Sequence, residues 1–319
     1  MEWNTKLQRA DRMSISEIHA LLALMDDPDE AVYTHVRERL LSKGKDVLPY
    51  VDRIETLDGK DDLIKGRLAL LRMGLQQTDV KEALRSWMDD GGMDLWKGVE
   101  LVHAASDSTW NHAESNERFE ALKKEVWLEL NEEQTALEQV RILNHVFFSL
   151  HQMEGVRRLP HVPMEALPSG VLKDKKGNPI GLGVLYLAVA QSLGIPLRGV
   201  NLPNHFILAY CDLAHVNEPN VSKGQSGILF YINPYSQGSV IGVDDVSEFL
   251  VQVGEGEPVP QWRPSHPMEI IQRLTRNVAF AIREASGEER SNQFLKLFAP
   301  LLSAFENAQE RSGDYPPIR

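Results

Sequence analysis

The fourteen residues Ile180 to Leu193 are apolar on nearly every side of a helical wheel, so they fold stably only as a helix enclosed by other structure. The ends of this helix are marked. Asn178 suits an N-cap, and Pro179 suits the first helical position, where a backbone N–H would be unpaired anyway. Gly194 stops the run, with Pro196 just beyond. Gly181 and Gly183 carry no side chain, which lets a sheet approach the first turn closely. Whatever surrounds this helix is the core.

Short strand-like segments follow. Arg198 to Leu202 and His205 to Tyr210 are apolar-rich and bounded by Pro and Asn, and Ile228 to Ile232 reads as a third strand ending at Asn233-Pro234. Tyr235 to Gly238 predicts a turn before Val240-Ile241, and residues 213–227 a polar loop. The implied class is α+β, with a buried helix packed on an antiparallel sheet and helical regions on either side. Upstream, residues 151–178 carry Gly155, Pro160, Pro163, Pro168, Gly170 and Gly177, predicting a long irregular connection of the kind that often carries function. Arg157 and Arg158 lie in it, as does Lys173-Asp174-Lys175-Lys176, which reads as a solvated loop.

The flanks are helical. Ser14-Ile15-Ser16-Glu17 resembles a capping box ahead of Ile18, Leu21, Leu22 and Met25. Asp26-Asp27-Pro28-Asp29 then breaks one helix and caps the next, with Val32, Val36 and Leu40 on its apolar face. This pair resembles one unit of a helical repeat, but no second copy recurs at a fixed period. Leu63–Leu75, Val80–Met88, Leu95–His103 and Phe119–Leu130 continue the theme, and Thr135 to Glu138 resembles another capping box. After the proline-rich stretch 254–267 come helices at 268–285 and 288–306, then a fraying tail at 313–319. Three regions result: a helical region 1–130, a core 131–250, and a linker with a helix pair 251–319.

Composition closes off several classes. A net charge of −12 disfavours nucleic acid and anionic membrane surfaces as partners, because both need clustered cations. One cysteine, Cys211, excludes an intrachain disulfide and fits a reducing compartment. The polar N-terminus has no apolar signal region, and no segment reaches the roughly 20 apolar residues of a membrane span, so the cytoplasm is the expected location. The ten histidines form no His-Glu-x-x-His, and neither a Gly-x-Ser-x-Gly elbow nor a phosphate-binding glycine loop occurs. Asp26, Asp27 and Asp29 lack the later Gly and Glu of a calcium loop and read as a capping turn. No metal or cofactor is expected.

From about Ala136 to Val243 the chain resembles the transglutaminase-like superfamily, in which Gly-x-Cys opens a buried helix ending at Gly-Ile-Pro. Here Gly194-Ile195-Pro196 is present, and counting fifteen residues back from Gly194 reaches Pro179, where the family places its cysteine. The resemblance matches the family's histidine to His205 and its acid to Asn233. The SirB-type branch, also found in some F-box-associated eukaryotic proteins, is closer still. It pairs a "DDPD"-like turn with Gly-x-Pro-Ile, an Asn-x-Pro-x-His-Phe strand and a C-terminal Arg-Leu-x-x-Asn, here Arg273 to Asn277. Asn204 departs from the glycine usual before the histidine, and Asn233 from the usual aspartate.

In such a family the helix dipole and the histidine depress a thiol pKa while the acid orients the imidazole. With Pro179, His205 and Asn233 at those three positions, the resemblance implies a core without its nucleophile. Cys211 does not replace it, because six residues of extended strand set it roughly 20 Å from His205 whereas a dyad needs about 3 Å. His205 reads either as a hydrogen-bonded strand residue or as a base facing a vacated pocket, and without nucleophile and acid the former fits better. Arg157 and Arg158 could clamp a carboxylate or phosphate, although surface arginines are far commoner. Two functions follow. One is a non-catalytic module that binds another protein through Arg157, Arg158, Asn178, Asn204 and His205. The other is a residual amide-bond hydrolase or transferase in which His205 acts directly.

Overall fold

The structure, a computed structural model, describes residues 15–55, 62–107, 110–157, 162–202, 205–212, 227–243, 245–246, 248 and 264–304. Ser14, Arg158, Asn204, the loop 213–226, most of the proline-rich stretch and the tail lie outside the described residues. The chain divides into two compact units, Met1–Ala83 and Leu84–Arg319.

In the first unit, helix α1 (15–23) is followed by α2 (Glu30–Leu41), α3 (Leu48–Glu55) and the first part of α4 (Asp62–Asp89). The sequence suggests two helical stretches across 63–88, but one 28-residue helix forms, since nothing between Leu75 and Val80 breaks it. Ile18, Met25, Val36, Leu40, Leu71 and Leu75 make the core. Asp29 caps α2 by accepting the Ala31 N–H at 2.8 Å, and Asp27 accepts that of Asp29 at 2.9 Å. The buried Arg67 completes this turn by donating to the carbonyls of Met25 (3.0 Å) and Asp27 (2.7 Å) and to the Glu30 carboxylate (2.7 Å).

The second unit is built around the helix expected from the sequence. α5 (Leu95–Ser106), α6 (His112–Glu129) and α7 (Ala136–Asn144) precede it, and α7 runs on as a π-helical turn, His145–Leu150. Thr135 and Glu138 form the reciprocal capping box of α7. The described residues within 151–178 hold regular elements: β1 (Glu154–Gly155), α8 (Pro163–Ala166), α9 (Pro168–Asp174) and β2 (Lys176–Gly177), with β1 and β2 parallel. Pro163 and Pro168 open helices here rather than interrupt them, because the first turn needs no N–H from them. The basic run is likewise no loop. It supplies the end of α9, the left-handed cap Lys175 (φ 59°) and the start of β2.

Helix α10 (Pro179–Ser192) is buried from Pro179 through Ala190. Asn178 Oδ1 accepts the Gly181 N–H at 2.8 Å. At the other end Gly194 (φ 75°) donates to Gln191 and Ile195 to Ala190, a Schellman closure. Strands β3 (Leu197–Leu202), β4 (His205–Cys211), β5 (Ile228–Asn233) and β6 (Ser239–Ile241) form an antiparallel meander in that order. A Cβ at Gly183 would come within 2.4 Å of the Phe206 ring, so β4 does approach the helix there; one at Gly181 would meet the Glu165 carbonyl at 2.4 Å, so that glycine admits α8 and not the sheet.

Asn144 ties the layers together, accepting from the Tyr186 hydroxyl (2.9 Å) and donating to the Gly238 carbonyl (2.9 Å). Helix α11 (Pro267–Ser286) packs on α5, α8 and α10, followed by α12 (Glu288–Leu297) and α13 (Ala299–Ser303). The sequence suggests a single last helix to 306, but Pro300 cannot donate within it, and the chain restarts at Ala299. Among the described residues no helix is long and apolar enough to cross a membrane.

Candidate binding site

The N-terminus of α10, the start of β4 and the end of β5 meet at one end of the helix–sheet layer. Phe206 packs on Gly183, and the short 3-10 turn after β5, Pro234–Ser236, packs on α10. The three positions Pro179, His205 and Asn233 therefore belong to one end of the fold, and each is already engaged. Pro179 is the buried first residue of α10. Asn178 is 2% exposed; its side chain caps the helix and its N–H donates to the Glu165 carbonyl at 2.8 Å. Asn233 is buried, accepts the Tyr235 N–H (3.1 Å) and donates to Ser236 Oγ (3.3 Å), closing the turn that ends β5.

Strand alternation decides where the imidazole stands. Phe206 lies on the α10 face of the sheet, whereas Ile207, Ala209 and Cys211 join Val200, Leu202 and Tyr231 in a cluster on the opposite face. His205 pairs with Leu202 across the strands and shares that opposite face. Cys211 is buried at the far end of β4, next to a register shift, and burial pushes its thiol up to about 11. At neutral pH it is a protonated thiol, not a nucleophile.

Beside the Asn233 turn lies a cleft of about 860 Å³ lined by Glu154, Val156, Arg157, Glu165, Lys176 and Tyr235, among others. It sits between β1, β2, α8 and the 3-10 turn. Tyr235 builds one wall: its hydroxyl donates to the Val156 carbonyl at 2.9 Å, and its ring lies where a Gly155 Cβ would be, 2.5 Å away. Burial raises the Tyr235 pKa, and Arg157 opposes that rise. The floor holds the buried Glu165, whose carboxylate accepts the Val162 N–H at 3.2 Å. Lys176 and Glu154 pair at 3.2 Å on the exposed rim. Arg157 is exposed there, whereas Arg158 and Asn204 lie outside the described residues.

Sequence pattern marks Arg157 but not Tyr235, Glu165 or Lys176. In the sequence Tyr235 is an ordinary turn residue, and Glu165 only becomes a floor once Pro163 starts a helix. Among the described residues no group of three or more His, Cys, Asp or Glu could hold a metal ion.

Comparison with known proteins fits this geometry. A family profile described as transglutaminase-like superfamily matches residues 113–276, half of the chain. The chain belongs to the transglutaminase-like superfamily. This match starts at α6 and ends inside α11, wider than the 136–243 legible by motif, because both helices pack on α10. Similar proteins include mouse F-box only protein 21 (27% identical over 157 residues, 48% of this chain and 23% of that protein). A UPF0162 protein of Vibrio cholerae is 26% identical over 182 residues, 56% of this chain and 60% of its own. One from Pseudomonas aeruginosa is 29% identical over 132 residues, 40% and 43% respectively. The matched region thus spans under a quarter of the F-box protein and at most three fifths of these bacterial relatives. No solved structure gave a significant match.

Proposed function

We propose that this transglutaminase-like core works by binding another protein rather than by covalent catalysis, with Pro179 and Asn233 in place of the family's Cys and Asp. The observation that carries this reading is the state of residue 179: a ring-locked, buried first residue of α10, in a chain whose only thiol is protonated and buried at the far end of β4. Strand alternation places His205 on the sheet face away from α10, and neither Pro179 nor Asn233 supplies the nucleophile or the acid of triad chemistry. The cleft beside the Asn233 turn, with Arg157 and Lys176 at its rim and Tyr235 as an aromatic wall, is the contact region.

Two assays test this. Amide hydrolysis and amine transfer, measured for the intact chain and for His205→Ala, should both stay at background; turnover that disappears in His205→Ala would establish the residual-enzyme alternative. Peptide-library panning against the intact chain should enrich ligands that lose binding to Arg157→Ala and Tyr235→Phe. Enrichment indifferent to both substitutions would move the contact region elsewhere.

A further inference from the structure

A second constellation lies on α6 and the chain flanking β1 and β2. His151 Nε2 stands 2.6 Å from Glu125 Oε2, and His151 Nδ1 stands 3.2 Å from Lys175 Nζ. A carboxylate can only accept, so Nε2 carries the proton and Nδ1 presents its lone pair to the lysine. Acid, imidazole and amine are thus in series, each within hydrogen-bond reach of the next. The same order activates nucleophiles elsewhere: a carboxylate fixes the tautomer, the imidazole takes a proton, and the third group attacks.

The backbone holds the lysine and the residue after the histidine in fixed conformations, Lys175 as the left-handed cap of α9. Among the described residues only three that are not glycine have positive φ, and two of them are Lys175 itself (59°) and Gln152 (52°), the neighbour of His151. Left-handed backbone at a residue with a side chain costs of order 1 kcal/mol and persists where surrounding structure enforces it, often at functional sites. Here it is enforced by the Glu154 N–H donating to the Lys175 carbonyl at 2.9 Å. Lys175 and His151 are both part-exposed, so a reagent can reach the amine.

We propose that Lys175 is a nucleophilic amine, with His151 as its general base and Glu125 as the group that orients His151, and that it accepts acyl groups from activated esters or thioesters. The ammonium first passes a proton to His151 Nδ1, giving a neutral amine and an imidazolium held by Glu125. The Nζ lone pair then attacks the acyl carbon. A C–N bond forms, the bond from carbon to the ester oxygen or thioester sulfur breaks, and the leaving group departs as an alcohol or thiol after taking up one proton. An amide at Lys175 results, and nothing is oxidised or reduced. Burial lowers the Lys175 pKa, the nearby Arg118 lowers it further, and Glu125 opposes them, so the neutral amine is more accessible than at a solvated lysine. This inference is independent of the binding cleft.

The test uses the intact chain and the acetyl ester of sulfo-N-hydroxysuccinimide below stoichiometry, with acetylation at every lysine followed by peptide mass mapping. Lys175 should acetylate measurably faster than the exposed Lys176, since burial lowers its pKa and leaves more of its amine unprotonated. Its rate should also level off at lower pH. His151→Gln should slow Lys175 about tenfold and leave Lys176 unchanged, with Glu125→Gln, at a part-exposed position of α6, giving a smaller loss in the same direction. Rates for Lys175 at or below those of Lys176, or no response to either substitution in chains that keep their circular dichroism, would overturn the proposal.

Discussion

Glu100 and His103 sit one turn apart on α5, and their proton affinities are pushed in opposite directions. His103 is 2% exposed, with Nδ1 hydrogen-bonded to Ser169 Oγ, its ring stacked on Trp110 (centroids 4.9 Å apart) and Nε2 buried without a hydrogen-bond partner among the described residues. Burial lowers its pKa from 6.5 to about 4. Burial, with Asp94 nearby, raises Glu100 from 4.5 to about 7. Between pH 4 and 6.5 the unfolded chain binds the histidine proton and the folded chain does not, so this group makes stability fall as pH falls. Between 4.5 and 7 the folded chain binds the Glu100 proton and the unfolded chain does not, so this group makes stability fall as pH rises.

At about 1.4 kcal/mol per unit each slope amounts to about 3 kcal/mol across its window, and the two oppose each other where the windows overlap. His112 Nδ1, 2.9 Å from Glu100 Oε1, reduces the Glu100 figure when the imidazole is charged. Glu100→Gln should therefore expose the histidine: relative to the parent, the variant loses roughly 2 kcal/mol as pH drops from 6.5 to 4.5. His103→Asn, whose amide can still reach Ser169, should show the reverse tilt, and the double variant should run parallel to the parent. Urea unfolding followed by tryptophan fluorescence reads the correct unit, since five of the six tryptophans lie after residue 83. A Glu100→Gln variant whose difference from the parent is constant with pH would refute the assignment of two opposed buried titrations.

Three further outcomes are expected. Gly183→Ala should destabilise by roughly 1–3 kcal/mol, because the new methyl meets the enclosed Phe206 ring, while Gly66→Ala on α4, with nothing within 4 Å, should stabilise by about 0.5–1 kcal/mol in the same thermal-melt series. Arg67→Ala should cost roughly 2–4 kcal/mol by leaving the Met25 and Asp27 carbonyls unpaired, measurable as increased amide exchange across Met1–Ala83. Pro179→Cys should gain no amidase activity, since strand alternation sets His205 on the sheet face away from α10; turnover by this variant would show that the imidazole reaches residue 179.

What the sequence made legible was whatever is fixed by neighbours along the chain. Helix α10 shows this best, since Asn178, Pro179 and Gly194 act within a few residues of themselves and an all-apolar stretch has only one place to go. Helices α8 and α9 were hidden because a proline that starts a helix and a proline that ends one look alike until the following turn is seen to close. The two candidate sites were hidden for a different reason. Glu125, His151 and Lys175 come from separate elements, and no spacing rule joins them. The decisive fact about His205 was half visible, since even spacing already placed it on one face with Cys211. Which face meets α10 depends on the contact of Phe206 with Gly183, a tertiary fact that alternation alone cannot supply. A family motif names the residues that could react. It takes the face of one strand to decide whether they can meet, and strand alternation pairs His205 with Leu202 on the face away from α10.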